Sequence, residues 1–155
     1  MPLIYPDKFP SDISASSRRR GERLLFTSLS RSSISDLRVY YSRLWRQEAL
    51  NAASFSSHFN GEADFIVFIP SQGFLFVECK GGVVSRDSNG FYTQDKAGRV
   101  FKIKNPFEQA KRSMYAFINH IMEFNILKCS RSELLAICQY SAFFPESESA
   151  VDFQN

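Results

Sequence analysis

The stretch Gly61-Glu-Ala-Asp-Phe-Ile-Val-Phe-Ile-Pro70 decides the fold, together with Gly73-Phe-Leu-Phe-Val-Glu-Cys-Lys-Gly-Gly82, which follows it after a short turn. Both stretches are rich in Ile, Val and Phe and are bounded by Gly and Pro. Each is too short for a typical helix of the same hydrophobicity. They therefore predict two neighbouring β-strands that form a hairpin.

Three charged side chains interrupt this apolar hairpin: Asp64, Glu78 and Lys80. Because side chains alternate between the two faces of a strand, the register of the hairpin decides which of them meet. A three-residue connection, 70–72, places Asp64 directly opposite Glu78, whereas a two-residue connection separates them onto opposite faces unless a bulge intervenes. Unpaired and desolvated, each charge would cost on the order of several kcal/mol, so the pattern indicates that something holds them.

A divalent cation is one group that could hold these charges. Directly opposite Cβ atoms lie about 4.5–5.5 Å apart, so two carboxylates can share one Mg²⁺ at about 2.0–2.1 Å per oxygen, with the main-chain carbonyl of Cys79 and waters completing the shell. Such an ion activates a phosphodiester and a bound water, and Lys80 would position that water or neutralise the phosphate. In the alternative interpretation, the carboxylates lie at a solvated strand end and pair with Lys80 and Arg side chains.

Helix and strand patterns on either side of the hairpin complete the fold. Asn105, Pro106 and Glu108 carry the clearest helix-start signal, a cap followed by a first-turn Pro and a capping-box Glu. The other predicted elements are a helix from Ser16 or Ser17, a strand at 36–45, a loop at 46–60, small strands at 83–85, 90–94 and 99–103, and a last buried strand at 133–144. This order predicts an α/β fold with a mixed central sheet flanked by helices, a small appended β-hairpin, and a last strand that returns through a helical crossover.

Glu22 lies on the first predicted helix and shares the apolar face of Leu25 and Phe26, three and four residues further on. An acidic residue at this position fits two roles. It can be a charge that the helix macrodipole favours near the helix start, or it can lie beside the metal.

Composition predicts one globular domain in a reducing compartment. The 155 residues are 44% hydrophobic and 15% aromatic, enough for one sizeable core, and no run of about 18 apolar residues exists to span a membrane. Residues 1–10 lack the features of a secretory signal, so a cytoplasmic location is expected. Three cysteines fit neither a disulfide framework nor a zinc site.

Net charge is only +3, which permits a polyanionic partner without requiring one. Two basic clusters flank the hairpin in sequence. They comprise Arg18, Arg19, Arg20 and Arg23 before it, and Lys102, Lys104, Lys111 and Arg112 after it. We interpret Arg18, Arg19, Arg20, Lys104, Lys111 and Arg112 as candidate nucleic-acid contacts. The alternative interpretation is that both clusters are ordinary solvated faces.

Four segments in this order resemble the nuclease-related domain (NERD), a family of the PD-(D/E)xK nuclease superfamily with restriction-endonuclease-like folds. The segments are Gly21-Glu22, Gly61-Glu-Ala-Asp64, Gly73-Phe-Leu-Phe-Val-Glu78-Cys-Lys80 and Asn105-Pro-Phe-Glu-Gln109-Ala-Lys. The resemblance runs from about residue 16 to residue 145. Ala63 stands where the superfamily often has a Pro before the first acidic residue.

The resemblance implies roles for individual residues. It makes Asp64 and Glu78 metal ligands and Lys80 the catalytic lysine, and it places Glu22 and Gln109 at the same centre. Gln109 lies beside the apolar stripe of its helix rather than on it, so an ordinary flanking position is the alternative. The implied cofactor is Mg²⁺, with Mn²⁺ as a substitute.

The sequence therefore predicts a Mg²⁺-dependent nuclease domain that hydrolyses DNA, with RNA as the alternative substrate. A non-catalytic nucleic-acid-binding or assembly module of a larger DNA-processing or defence protein is the competing function. We expect an N-terminal arm at 1–15, the nuclease-related domain at 16–145, and a tail or the start of a truncated region at 146–155. A homodimer, or a fused or partner helicase-like domain, is compatible with this organisation, and no membrane partner is expected.

Overall fold

The chain is described by a computed structural model that covers residues 2–10, 19–45 and 61–147. In chain order the elements are β1 (Leu3–Tyr5), α1 (Arg20–Ser30), β2 (Arg38–Trp45), β3 (Gly61–Ile69), β4 (Gly73–Cys79), β5 (Val83–Asp87), β6 (Gly90–Gln94), β7 (Val100–Ile103), α2 (Pro106–Glu123), α3 (Arg131–Ile137) and β8 (Cys138–Phe143).

A five-stranded mixed sheet organises these elements, with strand order β1-β2-β3-β4-β8. Strands β2, β3 and β4 run antiparallel, whereas β1 is parallel to β2 and β8 is parallel to β4. Because parallel neighbours need a long crossover, β8 reaches β4 only after the helices α2 and α3. The predicted mixed α/β fold with a helical crossover is confirmed. The appended element is also confirmed, and it is a three-stranded antiparallel sheet, β5-β6-β7, rather than a two-stranded hairpin.

The central hairpin has the three-residue connection that the sequence analysis required. The β3–β4 ladder pairs Ile69 with Gly73 at the turn and continues to Phe65 and Val77. Gly73 has φ of +106°, and a Cβ at this position would lie 2.1 Å from the backbone oxygen of Ile137. Only glycine fits both the backbone angle and the close approach of the end of α3.

Each face of the central sheet carries a hydrophobic core. Helix α1 covers one face, where Phe26 packs with β-strand residues that include Phe65 and Val77. Helices α2 and α3 cover the other face, where Met114, Ile118 and Leu134 meet Phe76. The predicted cap of α2 is confirmed, because the Asn105 side chain accepts from the backbone N–H groups of Phe107 and Glu108. The sheet is thus held rigidly from both sides.

The prediction of one buried strand at 133–144 is wrong in two respects. Residues 131–137 form α3, because Ser130 and Glu133 make a capping box: the Ser130 side chain accepts from the Glu133 N–H, and the Glu133 carboxylate accepts from the Ser130 N–H at 2.7 Å. The strand that follows, β8, lies at the edge of the sheet, so Gln139 and Tyr140 are exposed rather than buried.

Within the predicted N-terminal arm, Leu3–Tyr5 forms β1 and pairs in parallel with β2. The predicted loop at 46–60 and the predicted helix start at residues 16–17 lie outside the described residues, and α1 begins at Arg20. None of the helices in residues 2–10, 19–45 and 61–147 has the length and hydropathy needed to cross a lipid bilayer.

Candidate active site

Asp64 and Glu78 lie at the open end of the central hairpin. The β3–β4 ladder ends at Phe65 and Val77, so Asp64 and Glu78 are the first residues beyond it on the two strands. An Oδ2 atom of Asp64 accepts a hydrogen bond of 2.8 Å from the backbone N–H of Cys79. The Asp64 carboxylate is therefore held against the last residues of β4.

The regular alternation of β3 is interrupted at Asp64. Ala63 and Ile66 both pack in the core beneath α2, although residues three apart on a regular strand face opposite sides. On the neighbouring strand β2, Ser42 has φ of +50° between residues paired with Ala63 and Phe65. This local distortion turns the strand at the position where Asp64 contacts the β4 backbone.

Lys80 forms a close ion pair with Glu78, with 2.6 Å between its Nζ and Oε1 of Glu78. Glu78 is buried, whereas the Lys80 side chain keeps 24% of its surface exposed. The backbone N–H of Lys80 donates to the carbonyl oxygen of Phe143 at 3.0 Å, which fixes the end of β4 against β8. The ammonium group thus lies between a buried carboxylate and solvent.

The site carries excess negative charge in a poorly solvated position. Burial raises the pKa of Asp64 to about 7, and the negative charge of Glu78 adds to this effect. Burial also raises the pKa of Glu78, while the hydrogen bond from Lys80 opposes the rise. Two buried carboxylates that repel each other are the environment that a bound cation would stabilise.

Helix α1 brings Glu22 to the same end of the sheet. A Cβ on Gly21 would lie 2.9 Å from Pro145 Cγ and 3.1 Å from Cys79 Sγ, so the first turn of α1 packs tightly on the end of β4. Burial raises the pKa of Glu22, and the charge of Glu78 is one of the groups that add to it. The structure thus brings Glu22 near the two strand carboxylates, the second of the two locations that the sequence left open.

Tyr41 on β2 is a contributor that the sequence analysis missed. Its hydroxyl donates to Glu22 Oε2 at 2.5 Å and accepts from Arg19 Nη1 at 3.2 Å, while Arg19 Nη1 lies 3.6 Å from Glu22 Oε2. The ring is buried among Phe26, Phe65 and Phe9. No local sequence signal predicts this contact, since the two partners are 19 residues apart and meet only when α1 packs on the sheet.

Gln109 on α2 has a buried Oε1 atom that finds no hydrogen-bond donor within the described residues. One turn further on, Ser113 Oγ donates to the backbone oxygen of Glu62 at 2.9 Å, so this part of α2 packs on the start of β3. Buried amide oxygens nearly always have a partner, so a water or a ligand is the expected donor at this position.

The basic residues of the two clusters have different environments. Arg19 points inward to Tyr41 and Glu22, and Arg20 Nη1 lies 3.7 Å from Glu146 Oε1. Lys111 lies 4.0 Å from Glu108 and over the ring of Tyr140, whereas Lys104 and Arg112 are exposed. Arg18 lies outside the described residues. Binding of nucleic acid by these side chains stays a prediction.

The chemistry of the donor set fits a hard divalent cation. Within residues 2–10, 19–45 and 61–147, no group of three or more His, Cys, Asp or Glu side chains is arranged to hold a metal. Mg²⁺, however, usually binds through one or two carboxylates and keeps waters or takes substrate phosphates as its other ligands. The pair Asp64 and Glu78 meets that requirement. The buried Cys79 thiol does not, because burial raises its pKa far above the neutral range.

Comparison with known proteins supports the assignment that these residues suggest. The family model described as the nuclease-related domain matches residues 17–144, which include all the site residues described above. No curated protein and no solved structure matches the chain. Because the family model covers most of the chain, this protein belongs to the nuclease-related domain family.

Proposed function

We propose that this domain hydrolyses the phosphodiester bonds of nucleic acids, with DNA as the expected substrate, by the metal-assisted chemistry of PD-(D/E)xK nucleases. One observation carries the proposal: at the end of the central hairpin, Asp64 accepts from the backbone N–H of Cys79, the residue next to Glu78, and the Lys80 ammonium lies 2.6 Å from Glu78. Membership in the nuclease-related family agrees with this chemistry.

Asp64, Glu78 and the main-chain carbonyl of Cys79 would hold Mg²⁺, or Mn²⁺ in its place. When bound, the ion supplies Lewis-acid activation of the phosphate and of a water. Asp64 is already oriented for this role by the hydrogen bond from the Cys79 N–H. Glu78 is held by the hydrogen bond from the Lys80 ammonium, which supports its role as the second ligand.

Lys80 would orient the attacking water or neutralise charge that develops on the phosphate. The ion pair with Glu78 and the partial exposure of the Lys80 side chain support this role. Glu22 and Gln109 would accept hydrogen bonds from water at the same centre, since one is a partly buried carboxylate and the other has an unpartnered amide oxygen. The exposed Lys104 and Arg112 would contact the phosphate backbone of the substrate.

A cleavage assay tests the proposal. The purified chain would be incubated with supercoiled DNA, linear duplex, single-stranded DNA and RNA, each with Mg²⁺, with Mn²⁺ and with a chelator. We expect metal-dependent cleavage of at least one DNA form. Stable binding of DNA without cleavage in either metal would instead favour the non-catalytic nucleic-acid-binding module.

Replacement of Tyr41 by Phe tests how Glu22 is held. We expect Tyr41→Phe to lower cleavage at neutral pH by about tenfold, since a hydrogen bond to a charged group contributes about 1.5–3 kcal/mol and only part of it acts on the reaction. The Tyr41 hydrogen bond lowers the pKa of Glu22, so its loss raises that pKa further. The acid limb of the pH–rate profile should therefore move to higher pH.

The matched control is Tyr115→Phe, which removes a hydroxyl from an exposed side chain of α2. Its rate and pH profile should equal those of the parent. An unchanged acid limb in Tyr41→Phe would remove the Tyr41–Glu22 contact from the mechanism, and a loss of activity with a parental profile would indicate a purely structural role.

A further inference from the structure

The three-stranded sheet formed by β5, β6 and β7 has one bare face. Its inner face packs on the body of the domain, where the buried ring of Phe91 contacts Phe107 at the start of α2. Cross-strand partners share a face, so the register defines the outer face directly. The outer-face residues are Val83, Ser85, Tyr92, Gln94, Val100 and Lys102.

Two of the apolar groups of this outer face, Val83 and Val100, are exposed to solvent. Val83 and Val100 expose 49% and 62% of their surface. Lys102, two residues beyond Val100 on the same face of β7, is exposed as well. The central sheet does not need these strands, because its own five strands and three described helices form both cores. An added sheet with a bare face is typical of a binding surface.

The net positive charge of the chain is concentrated in this sheet and the residue that follows it. Residues 83–104 contain five Lys or Arg and two Asp, whereas the rest of the chain contains 14 basic and 14 acidic residues. The net charge of +3 of the whole chain therefore resides in these 22 residues. The remaining part of the chain is neutral overall, so a polyanion is attracted most strongly here.

Both acidic residues of the sheet are engaged in turns. Asp87 accepts from the N–H of Asn89 at 2.7 Å. Asp95 accepts from backbone N–H groups of its own turn and pairs with the Arg99 guanidinium at 2.7 Å. Lys96 and Lys102 are exposed beside them. The acidic groups thus face their own turns, and the lysines are left to interact with an outside partner.

The sheet is also held in a fixed position next to the candidate active site. Only Gly81 and Gly82 separate Lys80 from β5, and Thr93 Oγ1 donates to the Gly81 carbonyl oxygen at 2.8 Å. Gly82 has φ of +80°, and a Cβ there would lie 2.5 Å from Thr93 Oγ1. This close packing links the added sheet rigidly to the strand end that carries Glu78 and Lys80.

We propose that the outer face of the β5-β6-β7 sheet binds the phosphate backbone of a nucleic-acid strand and holds it beside the site at Asp64, Glu78 and Lys80. This inference rests on the proposed nuclease function and adds a binding surface to it. Lys102 on the outer face and Lys96 in the adjoining turn contact phosphates, which position the strand without reading its sequence. The exposed Val83 and Val100 allow close approach of the sugar and base edges.

Binding measurements on a pair of matched double variants test the proposal. Lys96→Glu/Lys102→Glu reverses the charge of Lys102 on the outer face and of Lys96 in the adjoining β6–β7 turn. Arg31→Glu/Lys128→Glu makes the same change in net charge at exposed positions beyond the far ends of α1 and α2. Binding of a fluorescent DNA duplex would be measured with a chelator present, at several salt concentrations. Circular dichroism would establish that both variants are folded.

We expect the sheet variant to bind at least about tenfold more weakly than the parent at moderate salt. Each lost phosphate contact removes about 0.9 from the slope of log affinity against log salt, so the slope should decrease by about two. With Mg²⁺ present, the variant should show a raised KM. The control variant should bind within about threefold of the parent with an unchanged slope.

Three results would overturn the inference. Parental affinity and salt slope in the sheet variant, while the parent binds and cleaves DNA, would reject the surface and leave the proposed function intact. Equal weakening in the control variant would show that net charge alone, and not this sheet, attracts DNA. If the parent neither binds nor cleaves any nucleic acid, the proposed function fails together with this inference.

Discussion

Lys80→Ala is expected to reduce cleavage by about a thousandfold or more while the protein stays folded. Removal of a single group that stabilises transition-state charge typically lowers the rate by about 10²–10³-fold. Loss of Lys80 has a second effect, because its ammonium opposes the burial that raises the pKa of Glu78. Without it, Glu78 protonates more readily and becomes a poorer ligand, so both effects lower the rate.

Three further measurements distinguish a role of Lys80 in the reaction from a general loss of folding or of DNA binding. Lys80→Met keeps most of the side-chain volume and should lose as much activity as Lys80→Ala. Lys128→Ala, which removes an exposed lysine beyond α2, should keep the parental rate. DNA binding by both Lys80 variants in a chelator should stay within about threefold of the parent, because only one phosphate contact is lost. Substantial cleavage by either variant would exclude Lys80 from the reaction.

Local sequence signals were sufficient to predict the hairpin that leads to Glu78 and Lys80 and the helix that carries Gln109. The apolar alternation of the hairpin and the three-residue connection gave the correct strand register, and Asn105 with Pro106 gave the start of α2. These predictions were correct because each depends on residues that are close together in sequence. The same kind of signal was present at Ser130 and Glu133, and it was overlooked because Leu134 and Leu135 fit an apolar strand equally well.

The remaining features of the site depend on contacts between distant segments. Tyr41 reaches Glu22 only because α1 packs on β2, and this packing requires the close approach of Gly21 to Cys79. At Asp64 the side chains of β3 cease to alternate between the two faces of the sheet. This change occurs beside the left-handed backbone of Ser42 on the neighbouring strand. Serine has no strong preference for that conformation, so no periodicity of one strand could have predicted it.

Asp64→Asn is expected to weaken Mn²⁺ or Mg²⁺ affinity by at least about a hundredfold. Loss of an outer-sphere partner already lowers metal affinity by about 10–100-fold, and loss of a ligand should lower it at least as much. The amide is nearly isosteric with the carboxylate, and its oxygen can still accept from the Cys79 N–H. Isothermal titration of metal into parent and variant gives the two affinities, and equal titration curves would refute the assignment of Asp64 as a ligand.

The same substitution should change how stability depends on pH. Burial and the charge of Glu78 raise the pKa of Asp64 from 3.8 to about 7, so the folded metal-free protein holds a proton that the unfolded chain has already lost. This contribution to stability is fully present below pH 4 and is lost as the pH rises through 7. The partly buried Glu22 and the buried Glu78 act in the same direction, because their pKa values are raised as well.

We therefore expect the melting temperature of the chelated parent to fall by several degrees between about pH 5 and pH 8, since 1 kcal/mol corresponds to about 2–4 °C in a domain of this size. Mn²⁺ should restore more stability at the higher pH, where it no longer competes with the proton. In Asp64→Asn both changes should be smaller, because an amide does not titrate. A variant whose melting temperature follows the parent's at every pH, with and without Mn²⁺, would show that the Asp64 carboxylate neither takes up the proton nor binds the ion.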